Sequence, residues 1–141
     1  MRHRVHGRRL GRDSAHRKAL RRNMIADLIA HERVITTEAK ARMLRPAAER
    51  VITVAKRGLA KDDDAATVHA RRIVGKKMAR TRVVEDDSGA RNEVDTIKKL
   101  FDDVAPRFKD RPGGYTRIIK MGRRPGDAAK MAMIMLIEEE A

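Results

Sequence analysis

Residues 111–137 read RPGGYTRIIKMGRRPGDAAKMAMIMLI, and this stretch decides the fold class. Arg111-Pro112-Gly113-Gly114 is a strong turn signal: proline presets its own backbone angle, and glycine reaches conformations that other residues avoid. A strand is expected from Tyr115 to Met121, a loop from Gly122 to Asp127, and a last strand from Met131 to Ile137. The last run is apolar at both alternating sets of positions, so burial on both faces is expected. Working back toward the N-terminus, helical periodicity replaces this alternation. Mixed elements of this kind specify an α+β fold, expected as a single domain with about four helices and a small three-stranded sheet, plus an extended basic N-terminal arm.

The third strand is expected at Val34-Ile35-Thr36, three β-branched residues in a row. Before it, Ser14 is an expected N-cap for a helix over 15–30, with Leu20, Met24, Ile25, Leu28 and Ile29 on its core side. After it, Thr36 or Thr37 should cap a second helix with Glu38 in its first turn and Leu44, Ala47, Val51, Ala55 and Leu59 inward. Pro46 should kink or split that helix, which ends near Gly58. Asp62, Asp63 and Asp64 read as dipole partners of a surface-packed helix over about 64–79. Residues 84–92 (VEDDSGARN) read as a loop. Asn92 is the expected cap of a helix carrying Val94, Ile97, Phe101 and Val104, which Pro106 should stop. The expected division is an arm over 1–13, a domain over 14–138 and an acidic tail over 139–141, with Glu138-Glu139-Glu140 solvated.

The formal net charge is +14 over 141 residues, and it is unevenly spread. Residues 1–22 hold nine Arg or Lys against the single acid Asp13, whereas residues 61–103 balance at ten of each. A block of like charge at one end indicates an interaction tail for a polyanion. Eight of those nine bases are Arg, whose planar fork binds phosphate in a fixed geometry. With no Trp, one Tyr and two Phe, the chain cannot build the aromatic platforms on which single-stranded bases stack. Phosphate, sugar and the shape of folded RNA are left as its targets. Other classes are disfavoured. There is no cysteine for a disulfide or thiolate site. No apolar run approaches the roughly 20 residues needed to cross a bilayer. The Arg-rich start resembles a mitochondrial transit peptide, but Gly7, Gly11 and a lone serine argue against that reading.

Candidate chemistry is equally restricted. His3, His6 and His16 could suggest a metal, yet they lie in a cationic arm and serve better as hydrogen-bond donors to RNA. Neither GxxxxGK[ST] nor GxGxxG occurs, and the pairs Asp86/Asp87 and Asp102/Asp103 are adjacent, so their members face apart on a helix. No enzyme, cofactor or small-molecule substrate is expected. The candidate RNA-binding residues are therefore Arg2, His3, Arg4, His6, Arg8, Arg9 and Arg12 in the arm, followed by His16, Arg17, Lys18, Arg21 and Arg22 on the first helix. A second basic group, Arg107, Lys109, Arg111, Arg117, Lys120, Arg123 and Arg124, surrounds the glycine turns. There Gly113 and Gly114 would let backbone approach a phosphate, beside Tyr115.

Three segments are specific when taken together: MRHRVHGRRLGRDSAHRKALRRNM from residue 1, ITTEAKAR over 35–42, and APRF over 105–108 followed by RPGGYTRI over 111–118. In order and spacing they resemble the bacterial large-subunit ribosomal protein seventeen family, from the first residue to about Glu138. The resemblance implies an α+β domain with an extended arm on large-subunit ribosomal RNA, in the cytoplasm and ribosome-bound. It implies a position on the outer surface toward the exit of the nascent-chain tunnel, beside other ribosomal proteins such as the small large-subunit protein thirty-two. Lys40, inside ITTEAKAR, joins the expected RNA-binding set. The stretch near Val83 to Asn92 is longer than the family's usual connection, and the glutamate run extends past the shared core. Two rivals remain. A DNA-coating protein would bind any duplex and needs a dimer seam, whereas no homo-oligomer is expected here. A membrane-surface helix would need a large apolar face that no stretch supplies.

Overall fold

The computed structural model describes Met1, His3 and residues 6–137. The arm positions Arg2 and Arg4 and the expected glutamate tail lie outside the described residues. Helix α1 (Ser14–His31) is capped by Asp13, not by Ser14: the Asp13 carboxylate accepts the His16 amide at 2.7 Å. Both residue types cap well, but the acid adds charge at the positive end of the helix dipole, which decides between neighbours. The buried residues Met24, Ile25, Ala26, Leu28, Ile29 and Ala30 all fall in the second half of α1. Its basic first half stays outside the core. The helix ends at Glu32, a non-glycine residue in the left-handed region at φ 62°. The Glu32 amide donates to the Leu28 carbonyl, and its own carbonyl accepts the Leu136 amide, so the turn into strand β1 (Arg33–Thr37) is held from both sides.

Helix α2 (Glu38–Leu59) begins after Thr37, whose side chain makes no capping bond. Pro46 does not split it. A proline inside a helix costs about 3 kcal/mol, and here that cost is offset by burial of Ala41, Leu44, Ala48, Val51, Ile52 and Ala55 along one face. Ala47 and Leu59, expected inside, are only half-buried; Ala48 and Ile52 take the inward positions. Helix α3 (Asp64–Lys77) is capped by the Asp63 carboxylate on the Ala65 amide and buries only Ala70 and Val74. It packs on α2 at Gly58, where an added Cβ would stand 2.5 Å from the Ala70 Cβ.

The expected loop over 84–92 is a hairpin. Strands β2 (Thr81–Glu85) and β3 (Arg91–Asp95) pair antiparallel, Val83 opposite Glu93, as a separate two-stranded sheet. The Asp86 carboxylate organises its turn, accepting the amides of Ser88 and Ala90 and the Ser88 hydroxyl. Asn92 is therefore a strand residue, and the cap of the next helix is Asp95, which accepts the Lys98 amide. That helical segment runs as α4 (Thr96–Lys99), a π-turn (Leu100–Val104) and α5 (Ala105–Arg107). Pro106 lies within its last turn and does not stop it before that point. The wider π-turn, in which the Ala105 amide reaches back to the Leu100 carbonyl, makes room for a ring that would otherwise press on the carbonyl four residues earlier.

Strands β4 (Thr116–Arg123) and β5 (Lys130–Leu136) form the expected C-terminal hairpin. The strand order is β1-β5-β4, so β5 is central, with Val34 and Ile118 both opposite Ile134. Burial in β5 alternates: Ala132, Ile134 and Leu136 are buried against the helices, while Met131, Met133 and Met135 are partly exposed on the outer face. Burial on both faces is thus corrected, because no second layer covers the methionines among the described residues. One core cluster joins α1, α2, the Leu100–Phe108 segment and β5.

Candidate nucleic-acid interface

Four parts of the chain meet at a cleft of about 580 Å³. The N-terminal residues His6–Arg9 and the first half of α1 (Arg17, Lys18, Arg21, Arg22) form one side. Arg50 of α2 and Lys76 and Lys77 at the end of α3 form the other. Ile25, Ala47 and Val51 line its floor. Nine Arg or Lys and no carboxylate line it, and among the described residues none of the nine takes part in an ion pair. Clustered like charges over an apolar floor focus a positive field and repel one another until an anion arrives. The two sides are joined through Arg22: its carbonyl accepts the Ala79 amide at 3.3 Å, and its guanidinium donates to the Gly75 carbonyl at 3.4 Å. The closing of α3 onto α1 thus places Lys76 and Lys77 opposite Arg17 and Arg21.

Arg50, Lys76 and Lys77 were not among the candidates expected from sequence. Their proximity to α1 is tertiary, and the only local hint was the basic pair in the last turn of α3, which also suits the helix dipole. His16 accepts from the Arg12 Nε at 3.3 Å, and Arg12 also donates to the Leu10 carbonyl at 2.7 Å. The three arm and helix histidines form no metal cluster with other ligating groups among the described residues.

The second basic group divides. Arg117, Lys120 and Arg123 are exposed on β4 without a carboxylate in ion-pair range among the described residues. Lys120 faces Glu38 at the head of α2, near Lys40; Glu38 is held below the usual carboxylate range chiefly by its hydrogen bond to Arg42, with Lys120 and Lys130 adding to it. Arg124 donates to both carboxylate oxygens of Asp127, from Nε at 3.1 Å and from Nη2 at 2.6 Å. Arg111 turns back on the Gly113 and Gly114 carbonyls at 3.1 Å. Tyr115 is buried, 2% exposed, with its ring 5.2 Å from that of Phe108 and its hydroxyl accepting from Lys56. Its side chain serves the core and does not share a solvent-facing side with Arg117.

Arg107 is likewise committed inside the protein. It grips Glu32 with two hydrogen bonds, at 2.8 and 3.1 Å, and reaches Asp103 at 2.9 Å; Lys99 lies 3.1 Å from Glu32. The Arg107 guanidinium, ahead of Lys99, holds the Glu32 carboxyl down at about 2 against an ordinary 4.5, and the Arg107 value is raised in turn. A lowered carboxyl stabilises the fold fully above its unfolded value near 4.5, and that contribution is lost as pH falls through about 2. Because a third of the Glu32 side chain is exposed, the contribution is discounted to about 1–2 kcal/mol. Glu32→Gln is expected to lose about that much stability at neutral pH. The gap between variant and wild type in urea unfolding should then shrink as pH falls from 4.5 toward 2. A gap of constant size would show that packing, not charge, carries the contact.

No described helix is long and apolar enough to cross a membrane. Comparison with known proteins gives a consistent answer. Residues 20–137 match the family model described as ribosomal protein L17. The chain is 45% identical over 141 residues to the large ribosomal subunit protein bL17 of Trichlorobacter lovleyi, covering 100% of this chain and 97% of that one. It is 46% identical to the protein of the same name from Pelobacter propionicus, covering 99% of this chain and 94% of that one. It is 48% identical to that of Zymomonas mobilis subsp. mobilis, covering 99% and 85%. With an acid-free basic cleft and full-length likeness of this order, the chain belongs to the ribosomal protein L17 family, whose members are structural components and not enzymes.

Proposed function

We propose that this chain is a structural constituent of the bacterial large ribosomal subunit, where it binds ribosomal RNA by phosphate and shape recognition. The observation that carries this reading is the cleft lined by nine bases and no acid. A site of that charge, with no Phe, Tyr or Trp and a single His ring among its described lining residues, suits phosphodiester backbone and not stacked bases. In this reading residues 1–13 are an arm along the RNA and residues 14–138 the domain that anchors it, with 139–141 an acidic tail. Arg117, Lys120 and Arg123 on β4, and Lys40, make further phosphate contacts. The chain is cytoplasmic and ribosome-bound, on the outer surface near the tunnel exit beside the small large-subunit protein thirty-two, and acts as a single copy.

About eight phosphate contacts would give a slope of log affinity against log salt of roughly −6 to −7. Titration of the purified chain against large-subunit ribosomal RNA at several salt concentrations measures it. A slope near zero refutes the electrostatic account. Equal affinity for an unrelated DNA duplex would favour a nucleic-acid coating role instead. On a sucrose gradient the chain should travel with the large subunit through moderate salt; recovery only at the top refutes the assignment to that subunit.

A further inference from the structure

We propose that Arg50, Lys76 and Lys77 form the second jaw of a phosphate clamp, which closes with Arg17, Lys18 and Arg21 of α1 on one stretch of RNA backbone. The folded body is then itself a specific phosphate site, not merely the anchor of a basic arm. The inference deepens the RNA-binding function proposed above and rests on it.

Three observations support the clamp. The two jaws come from helices distant in sequence, yet Arg22 holds α1 and α3 in fixed relation through the Ala79 amide and the Gly75 carbonyl. Binding therefore begins from a preorganised shape and loses little freedom in the protein. Next, among the described residues nine Arg or Lys are in ion pairs, but Arg50, Lys76 and Lys77 are in none, so their charge is not spent within the protein. All three are exposed, so no packing role explains them. The dipole at the end of α3 accounts for Lys76 and Lys77 alone. It does not account for Arg50, which sits mid-helix on α2 and faces the same cleft. Finally, the ligand chemistry is selected by the lining. An isolated phosphate would leave most of nine cations unsatisfied, and the described lining holds no Phe, Tyr or Trp, only the His6 ring, so it offers no platform for a row of bases. A run of phosphates along a folded RNA strand satisfies both jaws.

The test uses the full chain. The triple variant Arg50→Gln, Lys76→Gln, Lys77→Gln is compared with a control of equal charge loss at exposed positions outside the cleft, Lys61→Gln, Arg72→Gln, Lys98→Gln. Each is titrated against large-subunit ribosomal RNA, with thermal unfolding run alongside. Three lost contacts should lower affinity about 10- to 100-fold near 0.15 M salt and make the salt slope shallower by roughly 2–3. The control should change both only slightly. If the two triples behave alike, net charge and not the clamp is at work, and the inference is overturned. Loss of affinity accompanied by loss of the folded transition also overturns it, because the residues would then be structural. The ribosomal reading fails separately: wild type that binds unrelated transfer RNA as tightly as ribosomal RNA would refute that reading, while a selective defect in the cleft variant would still establish the clamp.

Discussion

Removal of residues 1–12 is expected to leave the fold intact while lowering affinity for large-subunit ribosomal RNA about 10²- to 10³-fold near 0.15 M salt. The deletion takes away Arg2, Arg4, Arg8, Arg9 and Arg12. It touches no core residue: the buried cluster begins at Met24. It also spares the start of α1, because the capping carboxylate belongs to Asp13. Were the cap further upstream, truncation would unravel the helix and confuse binding with folding. If each arginine meets a phosphate, four or five counterions fewer are released on binding, and the salt slope should become shallower by about 3–4. Circular dichroism should show unchanged helix content, and the truncated chain should enter large subunits poorly. Normal incorporation would mean that the cleft and the β4 bases dominate, and that the arm is dispensable.

The second large effect concerns stability. Gly58, at the end of α2, packs directly against α3, and a methyl group there would collide with Ala70. A separation of 2.5 Å cannot be tolerated between two carbon atoms, and both belong to short side chains that cannot swing aside. Gly58→Ala gains about 1 kcal/mol of helix propensity. Overpacking of this kind typically costs about 1–3 kcal/mol, occasionally more. A backbone shift is required here, so the cost should lie at the upper end, with a net loss of about 1–2 kcal/mol and a fall in Tm of roughly 4–8 °C. Gly58→Leu should be more severe. The diagnostic is rescue: adding Ala70→Gly to Gly58→Ala reopens the space, and because the propensity gained at 58 offsets the about 1 kcal/mol lost at the new glycine in α3, the double variant should return close to wild-type stability. Strict additivity of the two changes would locate the damage elsewhere. Because α3 carries Lys76 and Lys77, pushing it off α2 should also widen the cleft and weaken RNA binding in the surviving folded fraction.

The parts of the fold that the sequence made legible are those with short-range chemical causes. The Arg111–Gly114 turn, the β-branched run at Val34–Thr36 and the acids ahead of α3 each dictate their element locally; pairing of the C-terminal hairpin with the Val34 strand was legible, but the central place of β5 was not. The β2–β3 hairpin is not legible because VEDDSGARN, apart from Val84 and Ala90, is polar or glycine and shows no alternation. Its turn is organised by Asp86, Val84 and Val94 are half-buried, and the Arg82–Asp27 ion pair ties the hairpin to α1. A Ser88-Gly89 turn between valines was the available signal. At the candidate site, the basic half of α1 was readable from composition, but the opposing jaw was not. Only the packing of α3 against Gly58 and Arg22 brings lysines from residue 76 beside arginines from residue 17. Arg107 and Tyr115 carry the right chemistry for RNA, but long-range packing that the local sequence does not reveal engages them inside the protein, Arg107 with Glu32 and Tyr115 with Phe108.

The central position of β5 bears on how the molecule comes into being. The first strand to leave a translating ribosome, β1, pairs only with β5, the last strand described, at contacts such as Arg33 with Met135. β4 also finds its partner only there. During synthesis β1 therefore waits with both edges open for nearly the entire chain, at elongation rates of about 5–20 residues per second. Helices α1 and α2 can pair early, but the sheet that closes over them cannot form before residues 130–136 emerge. Closure of the sheet is thus a late, all-or-none event in the life of each chain. An arrested chain cut before β5 should present helical signal with an unprotected β1, and its protease sensitivity should vanish once residue 136 has cleared the tunnel.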